Sequence, residues 1–495
     1  MRKCLKIFFI INLVLGVVFF IFPINGKDID QTFLIDLSMD SVQQRGIYKM
    51  AFLPNDPLYI EQWNLALVKA PQAWDLSKGS PEVTIAILDS GVDTDHPDLK
   101  DNIWRNKEEI PDDNIDNDKN GYIDDINGWD FVGDVPDPRP KFFSPYSLTG
   151  IHHGTIVAGV AAALGNNGKG IIGLAWKAKI MPLRVLNSQG IGSTPAVIRA
   201  IDYAINKKAD IINMSFVGVE YSKELEEAID RAWKADIILV AAAGNDSTQE
   251  GIDLDVALAY PVCYGEKENK VIGVAALGKD NKKAFFSNYG SKCVDISVPG
   301  TGVYSTLVYS SKNSDFNKYY GGYWSGTSLA APLVAGAAAL IKSINPQLSN
   351  RKIRDIILSQ VIDIDLANPE FKGKLGKGRL DVYRAARKTY LDLVTPSYLR
   401  DIVVAPEVGG PHIQVFKTTG FLLGSFFVYD ERFRGGVNVT SGDLNGDGKE
   451  EIIVGAGRGG GPQIRIFNQH GRLISQFFAY DKNFRGGIKV VTLRM

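Results

Sequence analysis

From about Pro54 onward, apolar and amphipathic segments alternate along the chain. Short, nearly continuous apolar runs recur as VTIAIL (83–88), KIMPLRVL (179–186), ADIINMSF (209–216), DIILVAAAG (236–244), KVIGVAAL (270–277) and VDISVP (294–299). Runs of this kind suit strands covered on both faces, as in a parallel sheet. Between them lie stretches with helical spacing, such as PAVIRAIDYAINKK (195–208) and SKELEEAIDRAWKA (222–235). The alternation predicts an α/β fold, a doubly wound and mostly parallel sheet with right-handed crossovers. It closes near GKGRLDVYRAARK (376–388), read as a last helix.

The final hundred residues change to short β-type runs separated by glycine clusters. IVVAPEVGGPHIQVF (402–416) returns as IIVGAGRGGGPQIRIF (452–467), and FFVYDERFRGGVNV (426–439) returns as FFAYDKNFRGGIKV (477–490). Pro411 and Pro462, Phe416 and Phe467, and Phe433 and Phe484 are each 51 residues apart. A β-rich unit of that length is the size of a propeller blade. Two units cannot close a ring, so the module reads as a partial propeller. At the same spacing TSGDLN (440–445) should return from 491, where the chain reads VTLRM. The expectation is a longer propeller cut short.

The N-terminus adds a third element. Arg2, Lys3 and Lys6 precede an apolar run from Ile7 to Ile24, and Gly26 precedes charged Lys27. This is an export signal, so a secreted or cell-surface protein is expected, with a retained membrane anchor as the minority alternative. The predicted organisation is a signal peptide over 1–26, a short pro-segment or linker over 27–53, a main domain over 54–388 and β repeats over 400–495. Fifty-five basic against 56 acidic residues give a net charge of −1. Such balance gives no electrostatic reason to expect nucleic acid or an acidic membrane as the target. Of three cysteines, Cys4 falls in the signal. Cys263 and Cys293 form one disulfide in an exported protein, or remain two buried thiols.

Candidate chemistry gathers where strands end and helices begin. Asp89 follows VTIAIL in ILDSGVDTDHPDL, His153 starts the small-residue helix HGTIVAGVAAAL, and Ser328 sits at the start of SGTSLAAPLVAGAAALI. A serine hydroxyl is a weak nucleophile until an imidazole removes its proton, and the imidazole needs an anion to fix its tautomer. Asn245, ending the run VAAAGN, offers a side-chain amide for an oxyanion, with the Ser328 backbone N–H as second donor. The Gly-Thr that follows selects His153 over its neighbour His152.

Together DSGVDTDHPDL, HGTIVAG, AAAGN and GTSLAAP resemble the subtilase family of serine proteases, in the order Asp, His, Ser. The likeness spans roughly residues 54–388. It implies a serine endopeptidase with Asp89, His153 and Ser328 as catalytic triad and Asn245 as oxyanion donor, acting on protein or peptide substrates through an acyl-enzyme. Ser215, Phe216 and Val217 resemble the family strand lining the substrate cleft, where Val217 replaces a usual glycine. With Ala243 and Gly244 they imply an apolar-walled pocket and a preference for apolar residues before the scissile bond.

Ca²⁺ is the expected cofactor, from three signals. Likeness to thermitase-like members implies side-chain ligands Asp56, Asp98 and Asn167, with carbonyls of Leu164, Lys169 and Ile171. DNDKNGYIDD places Asp116, Asp118 and Asn120 at alternate positions, with Asp124 beyond, in EF-hand-like spacing without the closing glutamate; a polar surface loop is the alternative. DLNGDGKEE has Asp443, Asn445 and Asp447 alternating, with Glu451 closing the loop, and resembles the Ca²⁺ loops of integrin-like FG-GAP repeats. Those repeats imply binding of a surface ligand. The competing functional reading is an adhesion protein on an inactive protease scaffold. The presence of all four groups favours the enzyme.

Overall fold

The computed structural model describes residues 52–247, 250–265, 270–394, 402–416, 422–442, 444, 450–468 and 470–492. The expected export segment, and Asp443, Asn445 and Asp447 of the third expected calcium loop, lie outside the described residues.

The chain enters through α1 (Trp63–Leu67) and α2 (Ala70–Trp74). The main sheet is begun by β1 (Thr84–Asp89), β2 (Trp129–Asp130), β3 (Lys179–Arg184), β4 (Ile211–Met214), β5 (Ile238–Ala242), β6 (Val271–Leu277) and β7 (Ile296–Pro299). A separate pair, β8 (Val303–Thr306) and β9 (Tyr320–Trp324), follows, and β10 (Val361–Ile362) and β11 (Arg379–Leu380) return to the main sheet. The order is β10-β11-β7-β6-β5-β4-β1-β3-β2, parallel throughout except between β10 and β11.

Every residue of β1 is buried, and the strand serves two cores at once. Ile85 and Ile87 join the core on one face, and Ala86 and Leu88 the core on the other. The first core takes α3 (Leu148–Ala162) and later α6 (Thr327–Ile344), and the second takes α4 (Thr194–Asn206) and α5 (Lys223–Lys234). The chain leaves β1 for β3 on one side and then adds β4 on the other, so Asp89 ends the strand where the winding reverses. Crevices at such switch points, outside the carboxyl ends of strands, are where α/β sheets bind ligands. After α7 (Asn350–Ser359) comes α8 (Val382–Val394).

Two boundaries differ from the sequence reading. The last helix does not occupy 376–381, because Gly376 and Gly378 take positive φ and feed β11; the helix starts at Val382 and runs on to Val394. Nor does His153 open its helix. Ser147 caps it six residues earlier, its hydroxyl accepting from Gly150 N at 2.9 Å. Cys263 and Cys293 are disulfide-bonded, which settles the two alternatives left open by the sequence.

The C-terminal module holds two antiparallel sheets. One contains β12 (Ile402–Val404), β13 (His412–Phe416) and β14 (Leu422–Phe427). The other contains β15 (Val437–Gly442), β16 (Glu451–Ala456), β17 (Gln463–Phe467) and β18 (Leu473–Phe478). β17 and β18 repeat β13 and β14 at the 51-residue spacing. A counterpart of β15 one repeat earlier would fall inside α8, so among the described residues the first sheet has three strands. Ile413, Val415 and Val428 pack with Val437, Ile452, Val454 and Phe467 in a small core shared by the two sheets.

Candidate active site

Helix α3 meets the end of β1 at Gly154. A Cβ there would lie 2.3 Å from Gly91 O and 3.1 Å from Asp89 Cβ, so only glycine lets the helix come this close. The same approach lets Gly154 N donate to Ser90 Oγ at 3.1 Å, and brings His153 Nδ1 within 2.7 Å of Asp89 Oδ1. Asp89 Oδ1 also accepts from Ser90 N at 2.7 Å. A buried carboxylate only accepts, so the shared proton sits on Nδ1, and a neutral ring then carries its lone pair on Nε2. Burial opposes charge on the ring, yet the Asp89 carboxylate outweighs it and holds the His153 pKa above the ordinary histidine value. His152 turns elsewhere. Its Nδ1 accepts from Val308 N at 3.1 Å, and burial lowers its pKa to about 4.

Ser328 is the second residue of α6, so its N–H belongs to the turn that has no intrahelical acceptor. Asn245 is fixed against the same turn. Its Oδ1 accepts from Thr327 N at 2.9 Å and from Thr327 Oγ1 at 3.1 Å, while Thr327 Oγ1 accepts from Gly244 N at 3.0 Å. With Oδ1 held, the Asn245 amide N–H groups point away from Thr327. Both Asn245 Nδ2 and Ser328 Oγ border the space beside Gly326: a Cβ there would lie 3.6 Å from the first and 2.9 Å from the second. Helices α3 and α6 pack directly on one another.

Pro332 lies inside α6 and has no N–H, so it cannot donate to the carbonyl four residues earlier, that of Ser328. Ser215 Oγ donates there instead, at 2.9 Å. Phe216 packs against the second core, and Val217 is partly exposed over Gly244. A Cβ on Gly244, whose φ is +94°, would meet Val217 Cγ2 at 3.0 Å. Ala243 is fully buried, its carbonyl accepting from Asn288 Nδ2 at 3.0 Å.

The Subtilase family model matches residues 80–378, more than half of the chain. The chain belongs to the subtilase family of serine-type endopeptidases. It is 34% identical over 337 residues to thermitase of Thermoactinomyces vulgaris, covering 68% of this chain and all of thermitase. It is 32% identical over 378 residues to subtilisin-like protease 1 of Plasmodium berghei, where the match covers 73% of this chain and 59% of that protein. The solved structure of a protease from Pseudoalteromonas arctica PAMC 21717 superposes with a TM-score of 0.54 at 29% identity, over 68% of this chain and 99% of that one. An FG-GAP repeat model matches residues 435–467.

This subtilase also carries buried acidic groups away from Ser328. Asp56 and Asp98 are both buried and lie at the 164–171 loop. Asp56 Oδ2 accepts from Asn166 N at 2.7 Å, and Asp98 accepts from Asn167 Nδ2 at 2.9 Å and Ile171 N at 3.0 Å. Leu164 N donates to Asp98 O at 2.7 Å, and Lys169 N to Asn167 Oδ1 at 2.8 Å. Burial raises the Asp56 pKa, and the nearby Asp98 charge adds to the rise.

In the 116–124 loop, Asp118 gathers with Glu109 and Asp125, neither suggested by the spacing. One carboxylate oxygen from each lies within 4.8 Å of the others. Lys207 forms a buried ion pair with Asp118. Asn120 Nδ2 donates to Asp125 Oδ2 at 2.9 Å. Asp116 accepts from Asn120 N and Gly121 N, closing the turn, and Asp124 Oδ2 accepts from Asn114 N. In the FG-GAP loop, Glu451 is buried and accepts from Leu444 N at 2.9 Å.

Proposed function

We propose that the chain is an exported, calcium-stabilised endopeptidase in which Asp89, His153 and Ser328 form the triad and Asn245 is the oxyanion donor. The observation that carries this is the 2.7 Å bond from His153 Nδ1 to Asp89 Oδ1, which fixes the tautomer needed for Nε2 to act as base. Nε2 takes the Ser328 Oγ proton as Oγ attacks the substrate carbonyl carbon. The oxyanion that forms accepts from Asn245 Nδ2 and Ser328 N. Nε2–H then returns the proton to the leaving amine, and the C–N bond breaks to give the acyl-enzyme. Water, deprotonated by the same Nε2, hydrolyses the ester and frees Ser328.

Val217, Ala243 and Gly244 support an apolar pocket before the scissile bond. Val217 crowds the Gly244 side of it, so Val217→Gly is expected to admit larger residues there.

Calcium is proposed for the Asp56 and Asp98 loop. Two adjacent buried carboxylates, with burial first and the Asp98 charge second raising the Asp56 pKa, form a donor set a hard divalent cation would complete. Asp56, Asp98 and Asn167 side chains and the Leu164, Lys169 and Ile171 carbonyls would hold it, and the ion would supply positive charge and tie the loop down. At Asp116, Asp118, Asn120 and Asp124 a second ion would share Asp118 with Lys207, so the first loop carries the calcium reading. The basic lead and apolar run of residues 2–24 support export.

The test is casein cleavage by purified protein beside Ser328→Ala, with and without chelator. Equal activity in the two proteins would reject the mechanism, and full resistance to chelator would reject the calcium role.

A further inference from the structure

The two β sheets of the C-terminal module meet through unlike faces. The first sheet turns Ile413, Val415 and Phe426 toward the second, which answers with Ile452, Val454 and Phe467. Polar groups lock this contact. Tyr429 Oη donates to Gln463 O at 2.6 Å and Val454 O at 3.2 Å, and Arg465 Nη1 donates to Val428 O at 2.9 Å.

The repeat places the same chemistry on the far side of the second sheet, where residues 488–490 approach Gly455 but, among the described residues, Ile464 and Ile466 stay only half-buried. Ile464, Ile466 and Phe477 are the counterparts of Ile413, Val415 and Phe426, and Phe477 pairs with Ile464 as Phe426 pairs with Ile413. Ile413 and Val415 are fully buried, but Phe477 is 51% exposed. Tyr480, the counterpart of Tyr429, is 63% exposed.

The complementary face is also present and also open. Ile402 and Val404 are the counterparts of Ile452 and Val454 on the outer face of the first sheet, and each is 48% exposed. Gln414, an N–H donor, stands where Arg465 stands in the second sheet. Strands match as well. Residues 488–492 lie along β15, with Asn438 Nδ2 donating to Ile488 O and Thr492 Oγ1 to Ser441 O. They are the counterpart of β15 itself, a strand that the first sheet lacks among the described residues.

From this we infer that the module is a self-assembly surface whose occupant is a second copy of this chain. The Ile464–Phe477–Tyr480 face of one copy seats on the Ile402–Val404 face of the next, with residues 488–492 running beside that copy's β12. Such contacts are heterologous and close into a ring when the rotation allows. Propellers usually have four to eight blades, so with two sheets supplied by the described residues of each copy the closed assemblies contain about two to four copies.

The full chain, carrying Ser328→Ala to prevent self-digestion, is examined by sedimentation velocity over a concentration series. Wild-type surfaces are expected to give a discrete assembly. Phe477→Asp and Val404→Asp, both at exposed positions, should each give monomers with unchanged melting. Mixed together, the two variants should form only a one-to-one dimer, because one intact face of each kind remains. Tyr480→Phe, which removes only a hydroxyl, should weaken association about fivefold. A wild-type monomer at every concentration, as expected if the face takes a further blade or another protein, overturns the inference. So does an assembly that neither charge substitution disturbs, or a mixed pair that fails to associate.

Discussion

Gly154→Ala isolates the contact that brings His153 to Asp89. The new methyl would sit 2.3 Å from Gly91 O, and Cβ atoms hardly approach neighbours closer than 3.0 Å, so about 0.7 Å must open. The blocking atom is backbone and has no rotamer to escape into. Helix α3 must therefore retreat from the end of β1, taking His153 with it. If the shift lies along the His153–Asp89 bond, 2.7 Å becomes about 3.4 Å, beyond good hydrogen-bond range. Overpacking a tight site costs about 1–3 kcal/mol, which a fold stable by about 5–15 kcal/mol survives. A displacement approaching 1 Å in a catalytic group costs on the order of 10²-fold in rate. The assay is kcat/KM on a fluorogenic peptide with a thermal melt alongside. The acid limb should also move down, because the Asp89 partner that holds the His153 pKa up has been drawn away. A folded Gly154→Ala protein with wild-type kcat/KM and acid limb would show that the close approach at Gly154 does not position His153.

Thr327→Val keeps the side chain's shape but removes the hydroxyl that holds Asn245 Oδ1 and accepts from Gly244 N. Steady-state kinetics should show kcat down about tenfold, the effect of a hydrogen bond of about 1.4 kcal/mol, with KM little changed. Asp130→Ala strands the buried Arg184 guanidinium, now held by both Asp130 oxygens at 2.9 and 2.7 Å, and should cost about 3–5 kcal/mol in denaturant unfolding. The base must be neutral to act, and its pKa is raised. kcat/KM should therefore climb with pH and reach half its plateau above 6.5, whereas a half-point at or below 6.5 would contradict the Asp89 pairing. Stripping calcium should lower Tm; with free ion at a hundred times Kd the lost stabilisation is about 2.7 kcal/mol, and Asp56→Asn should blunt the response.

The parallel sheet was legible because its strands are buried on both faces, as Ile85 and Ile87 against Ala86 and Leu88 show. Such strands leave uninterrupted apolar text. Asp89 and Ser328 were legible because each stands at an element boundary, where Asp89 ends β1 and Ser328 enters α6, whereas His153, inside α3, was legible only from the Gly-Thr that follows it. Other features depend on side-chain direction, which spacing does not encode. Ser215 reads as a cleft residue, yet its hydroxyl replaces the N–H that Pro332 cannot supply to Ser328 O. That proline, four residues after the serine, was the signal available in the sequence. Thr327 gave no sign beyond its place in the motif that its hydroxyl would orient Asn245. Glu109 and Asp125 come together with Asp118 only through the folded loop, so alternation within DNDKNGYIDD could not identify them. Helix α3 starts early because Ser147 caps it, a signal masked by Gly150 and two histidines in the first turns.

If Ser328 is the nucleophile, activated by His153 on Asp89, it should react selectively with an electrophile of the serine-hydrolase class. This is tested most directly by intact-protein and peptide mass spectrometry after treatment with a fluorophosphonate. One phosphonyl adduct per chain is expected, located on Ser328, absent in Ser328→Ala and formed far more slowly in His153→Ala. An adduct on another residue, or labelling of Ser328 at an undiminished rate without His153, would contradict it.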